Sequence, residues 1–250
     1  MKTVILGLIV SIILITSCSK SSTDLSPTSN QVKDYDGNVY DTVVIGTQTW
    51  MVENLKTTHY RNGVPIPHLT DSAEWANDKT GAYCDYNNSA GNGNIYGHLY
   101  NWYAVNNPDS LCPVGWHIPA ETDWHVLIKY LDPSADTSCT VCIANSVESN
   151  IAGGAMKSTG TTFWTAPNNG ATNSSGFTAL PAGTRSFNGT FGTNIGLGPI
   201  GVDTDFWSST SDFGVTSGGA SAITLNYINP DVSLESNYVA DGFSCRCVKN

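Results

Sequence analysis

One stretch, Leu111 to Leu131 (LCPVGWHIPAETDWHVLIKYL), carries a sustained helical periodicity in a chain that glycine, proline and asparagine otherwise break into short pieces. Trp124, Leu127, Ile128 and Leu131 recur at helical spacing and form one apolar stripe, with Glu121, Asp123, Lys129 and Asp132 largely outside it. Pro119 suits the approach to the first turn, Asp123 sets a carboxylate near the positive end of the peptide dipoles, and the Asp132-Pro133 step ends the run. Just upstream, Cys112 and Trp116-His117 put a crosslinkable thiol and a large ring beside the helix start. The stretch reads as a core helix with a disulfide handle and no chemistry of its own.

What surrounds this helix predicts a loop-rich α+β domain with a mostly antiparallel sheet. The 250 residues suffice for one substantial core, and 24 glycines with many Asn, Ser and Thr demand turns. Residues 1–17 stand apart: Lys2 and the apolar run Val4 to Ile15 have the length of an export signal, too short to span a bilayer. Ile15-Thr16-Ser17-Cys18 resembles a lipobox, which implies lipidation of Cys18 and places the mature protein in a bacterial envelope, anchored at the outer membrane on its periplasmic face or the cell surface. Residues 18–31 are polar and aperiodic, a flexible tether, and 32–250 form the domain. The formal charge of -10 becomes one unit more negative once Lys2 leaves with the signal, which argues against nucleic acid as a partner.

Along the domain, Val39 to Ile45 and Gln48 to Val52 flank Gly46-Thr47 as a hairpin, and Asp71 to Asn77 has the signature of a short helix capped by Asp71. Asp34, Asp36 and Asn38 alternate like calcium-loop ligands but lack the distal Glu, so they read as turn residues, and no metal or cofactor is expected. Tyr83, Tyr86, Tyr100, Trp102 and Tyr103 crowd one segment, a second core strip or an aromatic platform for a sugar; Trp164 opens a long ordered loop region, Thr161 to Gly201, with the same potential. Strands are expected from Asp205, from Ala220 to Ile228 and from Gly242 to Val248. In the last, Cys245 and Cys247 share a face. With Cys18 lipidated, six cysteines remain, an even number that implies disulfides in an exported chain; Cys139-Thr-Val-Cys142 suits a local staple, and Cys112 is the natural partner for one thiol of the last strand.

The segments DGNVYDTVVIGTQTWMVENLKT (from Asp36), LCPVGWHIPAETDW (Leu111), LPAGTRSFNG (Leu180), FWSST (Phe206) and GFSCRCVKN (Gly242) closely resemble, in order, the Fibrobacter succinogenes major paralogous domain, a family common in Bacteroidetes lipoproteins. Its core elements are similar to the C-type lectin-like fold, also used by formylglycine-generating enzymes. That fold implies a terminal strand returning to mid-sheet beside the main helix, which brings Cys247 to Cys112. Two departures stand out: Ala120 replaces the usual N-cap hydroxyl residue, at about 1 kcal/mol, and Cys245 replaces an apolar residue, which suggests an added crosslink to Cys84. A competing map joins Cys84 to Cys139 or Cys142.

The copper-binding cysteine pair of formylglycine-generating enzymes has no counterpart between Phe206 and Phe243. Asn107-Pro108-Asp109 and Asn229-Pro230-Asp231 only partly echo calcium-lectin motifs and fit turns. No nucleophile with a base stands out, and His117 and His125 read as structural. The expectation is a lipid-anchored, non-catalytic binding domain for a glycan or protein. The alternatives are a structural or fimbria-like envelope component and, behind it, an enzyme of the formylglycine-generating type.

Overall fold

The computed structural model describes residue 1 and residues 30–138, 146–192, 198–212 and 219–250. Cys18 and nearly all of the signal and the tether lie outside the described residues, as do Cys139 and Cys142. The chain first runs β1 (Gln31–Lys33), β2 (Val39–Ile45), β3 (Gln48–Met51), α1 (Ser72–Asn77), β4 (Tyr83–Cys84), α2 (Ala90–Tyr96), β5 (Leu99–Tyr100), α3 (Trp102–Val105), β6 (Trp116–His117) and α4 (Glu121–Leu131). It continues through β7 (Ser146–Ser149), α5 (Ala152–Met156), β8 (Asp203–Asp212), β9 (Gly219–Asn226), β10 (Val232–Tyr238), β11 (Phe243–Ser244) and β12 (Val248–Lys249). Two sheets result, ordered β1-β2-β3-β12-β6 and β4-β5-β11-β8-β9-β10-β7. Among the described strands every ladder is antiparallel except β11 with β8. The fold is therefore α+β and loop-rich, with the expected hairpin as β2–β3.

Helix α4 buries Trp124, Leu127 and Ile128 against the face of the larger sheet that carries Phe206, Ile223, Leu225, Val232 and Leu234. Its first turn is capped without help from the Ala120 side chain. Thr210 Oγ1 of β8 accepts the Glu121 N–H at 3.0 Å, and the Asp123 carboxylate accepts the Ala120 N–H at 2.9 Å, so two otherwise orphaned donors are satisfied by neighbours. Glu121 departs from its expected outward place: it is buried, accepts from Ser221 Oγ at 3.1 Å and lies 3.9 Å from His125. At α1 the Asp71 carboxylate accepts from Ala73 and Glu74 as the sequence predicts.

The last eight residues stitch both sheets together. β11 lies inside the larger sheet and β12 inside the smaller one, and the alternation holds between them. Phe243, Cys245 and Cys247 face one core with Tyr100, Trp102, Cys112 and Trp207. Arg246 faces the other side, its guanidinium 4.0 Å from the Phe177 ring and 5.1 Å from Phe206, donating to Phe177 O and to Asn54 Oδ1. Cys247 and Cys112 form a disulfide, with Cα atoms 6.0 Å apart and a sequence separation of 135.

The proposed Cys84–Cys245 crosslink is absent, and both thiols are free and buried. The ladder explains why. Cys84 pairs with Leu99 and Leu99 with Ser244, so Cys84 and Ser244 sit two strand spacings apart, about 10 Å, on one face. Cys245, the next residue, points to the opposite face, and no rotamer change brings the sulfurs together. Burial pushes the Cys84 thiol up to about 12 even with Arg185 beside it.

The expected long loop region is indeed ordered where it is described, but its own aromatics are only part of the reason. Three buried cations hold it. Lys157 spends its three ammonium protons on the carbonyls of Asn169, Asn226 and Asn229, at 2.8 to 2.9 Å. Arg185 donates to the carbonyls of Leu69, Thr70, Asp71 and Gly189, and its guanidinium carbon lies 4.5 Å from the Trp75 ring and 4.8 Å from Phe191. Arg246 is the third. Irregular backbone has few internal partners, so buried carbonyls need donors from elsewhere, and these side chains supply them.

Candidate functional site

The aromatic segment marked by the sequence proves to be core. Tyr100, Trp102 and Trp164 are buried, and each donates to a backbone carbonyl, of Thr57, Ser208 and Ala179 respectively. Tyr86 is buried against Phe191, with ring centres 5.3 Å apart. Tyr83 is half-buried and is already in contact with two rings, His68 stacked at 4.7 Å and His98 tilted at 4.7 Å. His98 in turn meets Asp85 at 2.8 Å, and the close approach of that carboxylate requires Gly93, since a Cβ there would lie 1.8 Å from Asp85 Oδ1. Tyr103 is half-buried. The sugar platform expected from these six residues does not form, because rings this dense in sequence fill the interior and leave no common open face.

Two other rings make an open face. Phe187 and Tyr238 are 42% and 56% exposed, yet their centres are 4.6 Å apart at a 51° tilt. Each sits on a tight turn. The first turn is closed by Gly189 N–H to Ser186 O at 2.8 Å and Ser186 N–H to Thr190 O at 2.7 Å. Gly189 has φ +84°, and a Cβ there would lie 2.4 Å from Ser72 O, so the tip admits only glycine. The second turn is closed by Asp241 N–H to Tyr238 O at 2.8 Å. The buried Asp241 carboxylate locks one turn to the other: Oδ1 accepts the Phe187 N–H at 2.7 Å and Oδ2 the Tyr238 N–H at 3.0 Å. Arg185 and Gly242 exchange both backbone hydrogen bonds directly beneath. The exposed rings are thus held by the backbone under them, which lowers the ordering cost of stacking a ligand on them.

Below this pair the sheet buries acids. On one face of β8, β9 and β10 stand Asp203 and Asp205, Thr224, and Glu235, neighbours by ladder register. Thr224 donates to Asp205 Oδ1, while Asp205 Oδ2 and Asp203 Oδ1 are buried without partners. Burial raises the proton affinity of Asp203, Asp205 and Glu235, and pushes Asp241 up to about 7. Among the described residues no group of three or more His, Cys, Asp or Glu is arranged to hold a metal ion. Asn107 and Asn229 close Asx turns onto the amides of Asp109 and Asp231, so both Asn-Pro-Asp segments are turns.

A pH dependence follows. An acid that binds its proton more tightly when folded loses that advantage as pH rises from the unfolded pKa, near 4, through the folded one. For Asp241 the cost approaches about 4 kcal/mol at about 1.4 kcal/mol per unit. The His125 pKa is raised by its hydrogen bond to Glu148 at 2.9 Å and acts in the same direction above about pH 6.5. Thermal unfolding should therefore shift to lower temperature between pH 4 and 8, and Asp241→Asn should flatten the curve; a melting temperature that rises over this range would contradict the protonated acid row.

The Fibrobacter succinogenes major domain model matches residues 43–249. No curated protein and no solved structure matches the chain. The matched span begins in β2, ends in β12 and contains the disulfide, the three buried cations and both ring-bearing turns. With more than four fifths of its length covered, the chain belongs to the Fibrobacter succinogenes major domain family.

Proposed function

We propose that this protein is a lipid-anchored envelope protein whose domain binds a glycan, without turning it over, on the Phe187–Tyr238 pair. The observation that carries the reading is the exposed pair itself: two open rings in contact on facing turns, the backbone of both turns clamped by Asp241. Aromatic faces stack on the C–H faces of sugars, and a backbone fixed in advance suits such a contact. The lectin-like frame implied by the sequence resemblance agrees with a terminal strand that returns to mid-sheet beside the main helix. In affinity electrophoresis through gels containing different polysaccharides, the domain should be retarded by at least one, and the Phe187→Ala/Tyr238→Ala double variant should run freely at unchanged melting temperature. Free migration of the parent in every gel would refute the reading.

The anchor rests on Cys18 directly following the apolar run with Thr16-Ser17 before it. Cys18→Ser should release the protein from the membrane fraction or stall its processing. A parent that fractionates with membranes while its N-terminus carries no lipid would remove this part of the proposal.

A further inference from the structure

A second surface lies at the start of the domain, away from the ring pair. Among the described residues, strand β1 is an edge of the smaller sheet. Its even residues face β2: Asn30 O accepts from Thr42 N–H at 2.7 Å, and Asp34 N–H donates to Asn38 O at 3.1 Å. By the alternation of an antiparallel ladder, Lys33 turns its backbone N–H and C=O to the open side. Beside that edge runs a groove of about 280 Å³ lined by Val32, Lys33, Asp34, Tyr35, Arg61, Pro113 and Val114. Tyr35 is 58% and Val114 82% exposed, so the walls are apolar and open.

The charge in this groove is unusual for an acidic protein. Among the described residues every ion pair involves a histidine, so neither Arg61 nor Lys33 has a carboxylate partner. Arg61 spends only Nη2, on Ser110 Oγ and on Trp116 O, and its Nε is buried with no partner. The lining carboxylate, Asp34, is committed to Asn38 and to the Tyr40 hydroxyl. An unspent part of a guanidinium, a free ammonium and the outward backbone groups of Lys33 in one groove define their own complement.

We propose that this groove binds an extended peptide that pairs in the manner of a strand with the outward backbone groups of Lys33 and places an acidic side chain on Arg61 and Lys33. The main-chain hydrogen bonds to Lys33 give the docking mode, and the guanidinium gives the preference for a carboxylate. A small anion alone would satisfy the charges without using the edge. The site is separate from the glycan surface, and neither proposal depends on the other.

The test uses the full chain with Cys18→Ser and three capped heptapeptides, Thr-Val-Thr-X-Thr-Val-Thr, with Glu, Gln or Lys at X, followed by amide chemical shifts. The Glu peptide should shift Lys33, Tyr35, Arg61 and Val114, and the Gln peptide should bind at least about tenfold more weakly. Lys33→Pro removes the outward N–H without touching the β1–β2 ladder, a change an edge strand tolerates. Set against Lys33→Gln, which removes only the charge, it should weaken binding by a further factor of about ten. Val114→Asp, at an exposed position, should abolish binding of the Glu peptide with no change in melting temperature. Equal binding of the Glu and Gln peptides, shifts elsewhere on the domain, or the same shifts with sodium acetate and no difference between Lys33→Pro and Lys33→Gln would overturn the proposal.

Discussion

Replacing Arg185 by methionine should cost about 3 to 5 kcal/mol, a large share of the stability of any single domain. The methionine fills much of the same volume between Trp75 and Phe191 but donates nothing. Four carbonyls, those of Leu69, Thr70, Asp71 and Gly189, then lose a charge-assisted partner at once. Lysine does not rescue the loss, since its three ammonium protons cannot serve the four carbonyls that the five-donor planar fork holds. Because residues 185 and 242 are bonded to each other beneath the ring pair, the variant should also lose polysaccharide retention, whereas Asp241→Asn should weaken retention with a smaller loss of stability. Chemical denaturation measures the first effect; an Arg185→Met midpoint equal to that of the parent would show that the loop region holds itself together without the cation.

Reducing the Cys112–Cys247 bond, or changing both residues to serine, should cost about 3 to 5 kcal/mol. The bond closes a loop of 135 residues, so it removes much of the freedom of the unfolded chain. It also ties the segment entering α4 to the strand that completes the smaller sheet, and without it β12 keeps only short ladders to β3 and β6. The larger sheet should be less affected, since β11 holds both β5 and β8. Hydrogen exchange in the reduced protein should thus rise first at Met51 and Val248, and later at Phe206. Uniform exchange across both sheets, or unfolding unchanged by reductant, would contradict this division.

These expectations show which parts of the fold the sequence declares. The β2–β3 hairpin, α1 and α4 could be read because their signals are local: a turn dipeptide, a capping aspartate and a stripe at helical spacing. The return of the terminal strand and its bond to Cys112 came through family resemblance, and the ladder bears them out. Strand β10 is hard to read because its polar residues look like a solvent face, although Glu235 is half-buried and shares a sheet face with the buried Asp203 and Asp205. Helix α2 escaped because AGNGNIY has poor helical propensity; Asn92 Nδ2, donating to Tyr86 O at 3.0 Å, is among its supports.

The ring pair is hidden in the sequence for a different reason. Aromatic density in sequence marks where rings are made to pack together, and Tyr83, Tyr86, Tyr100, Trp102 and Trp164 pack accordingly. Phe187 and Tyr238 are 51 residues apart, and only the fold brings them together. One signal was available for half of the pair: Ser186-Phe187-Asn188-Gly189 is a turn with an aromatic residue at its tip, a place where a ring has no core to enter. Asp241 carried no comparable mark, since an aspartate before a glycine reads as turn chemistry until both of its oxygens are seen holding amides.

Aromatic proton–carbon spectra of the labelled domain, taken with and without a polysaccharide that retards it, test the central claim directly. The Phe187 and Tyr238 ring signals should shift on binding while those of Tyr83, Tyr86, Tyr100, Trp102 and Trp164 stay in place. Shifts confined to the second set, with Phe187 and Tyr238 unmoved, would contradict the account.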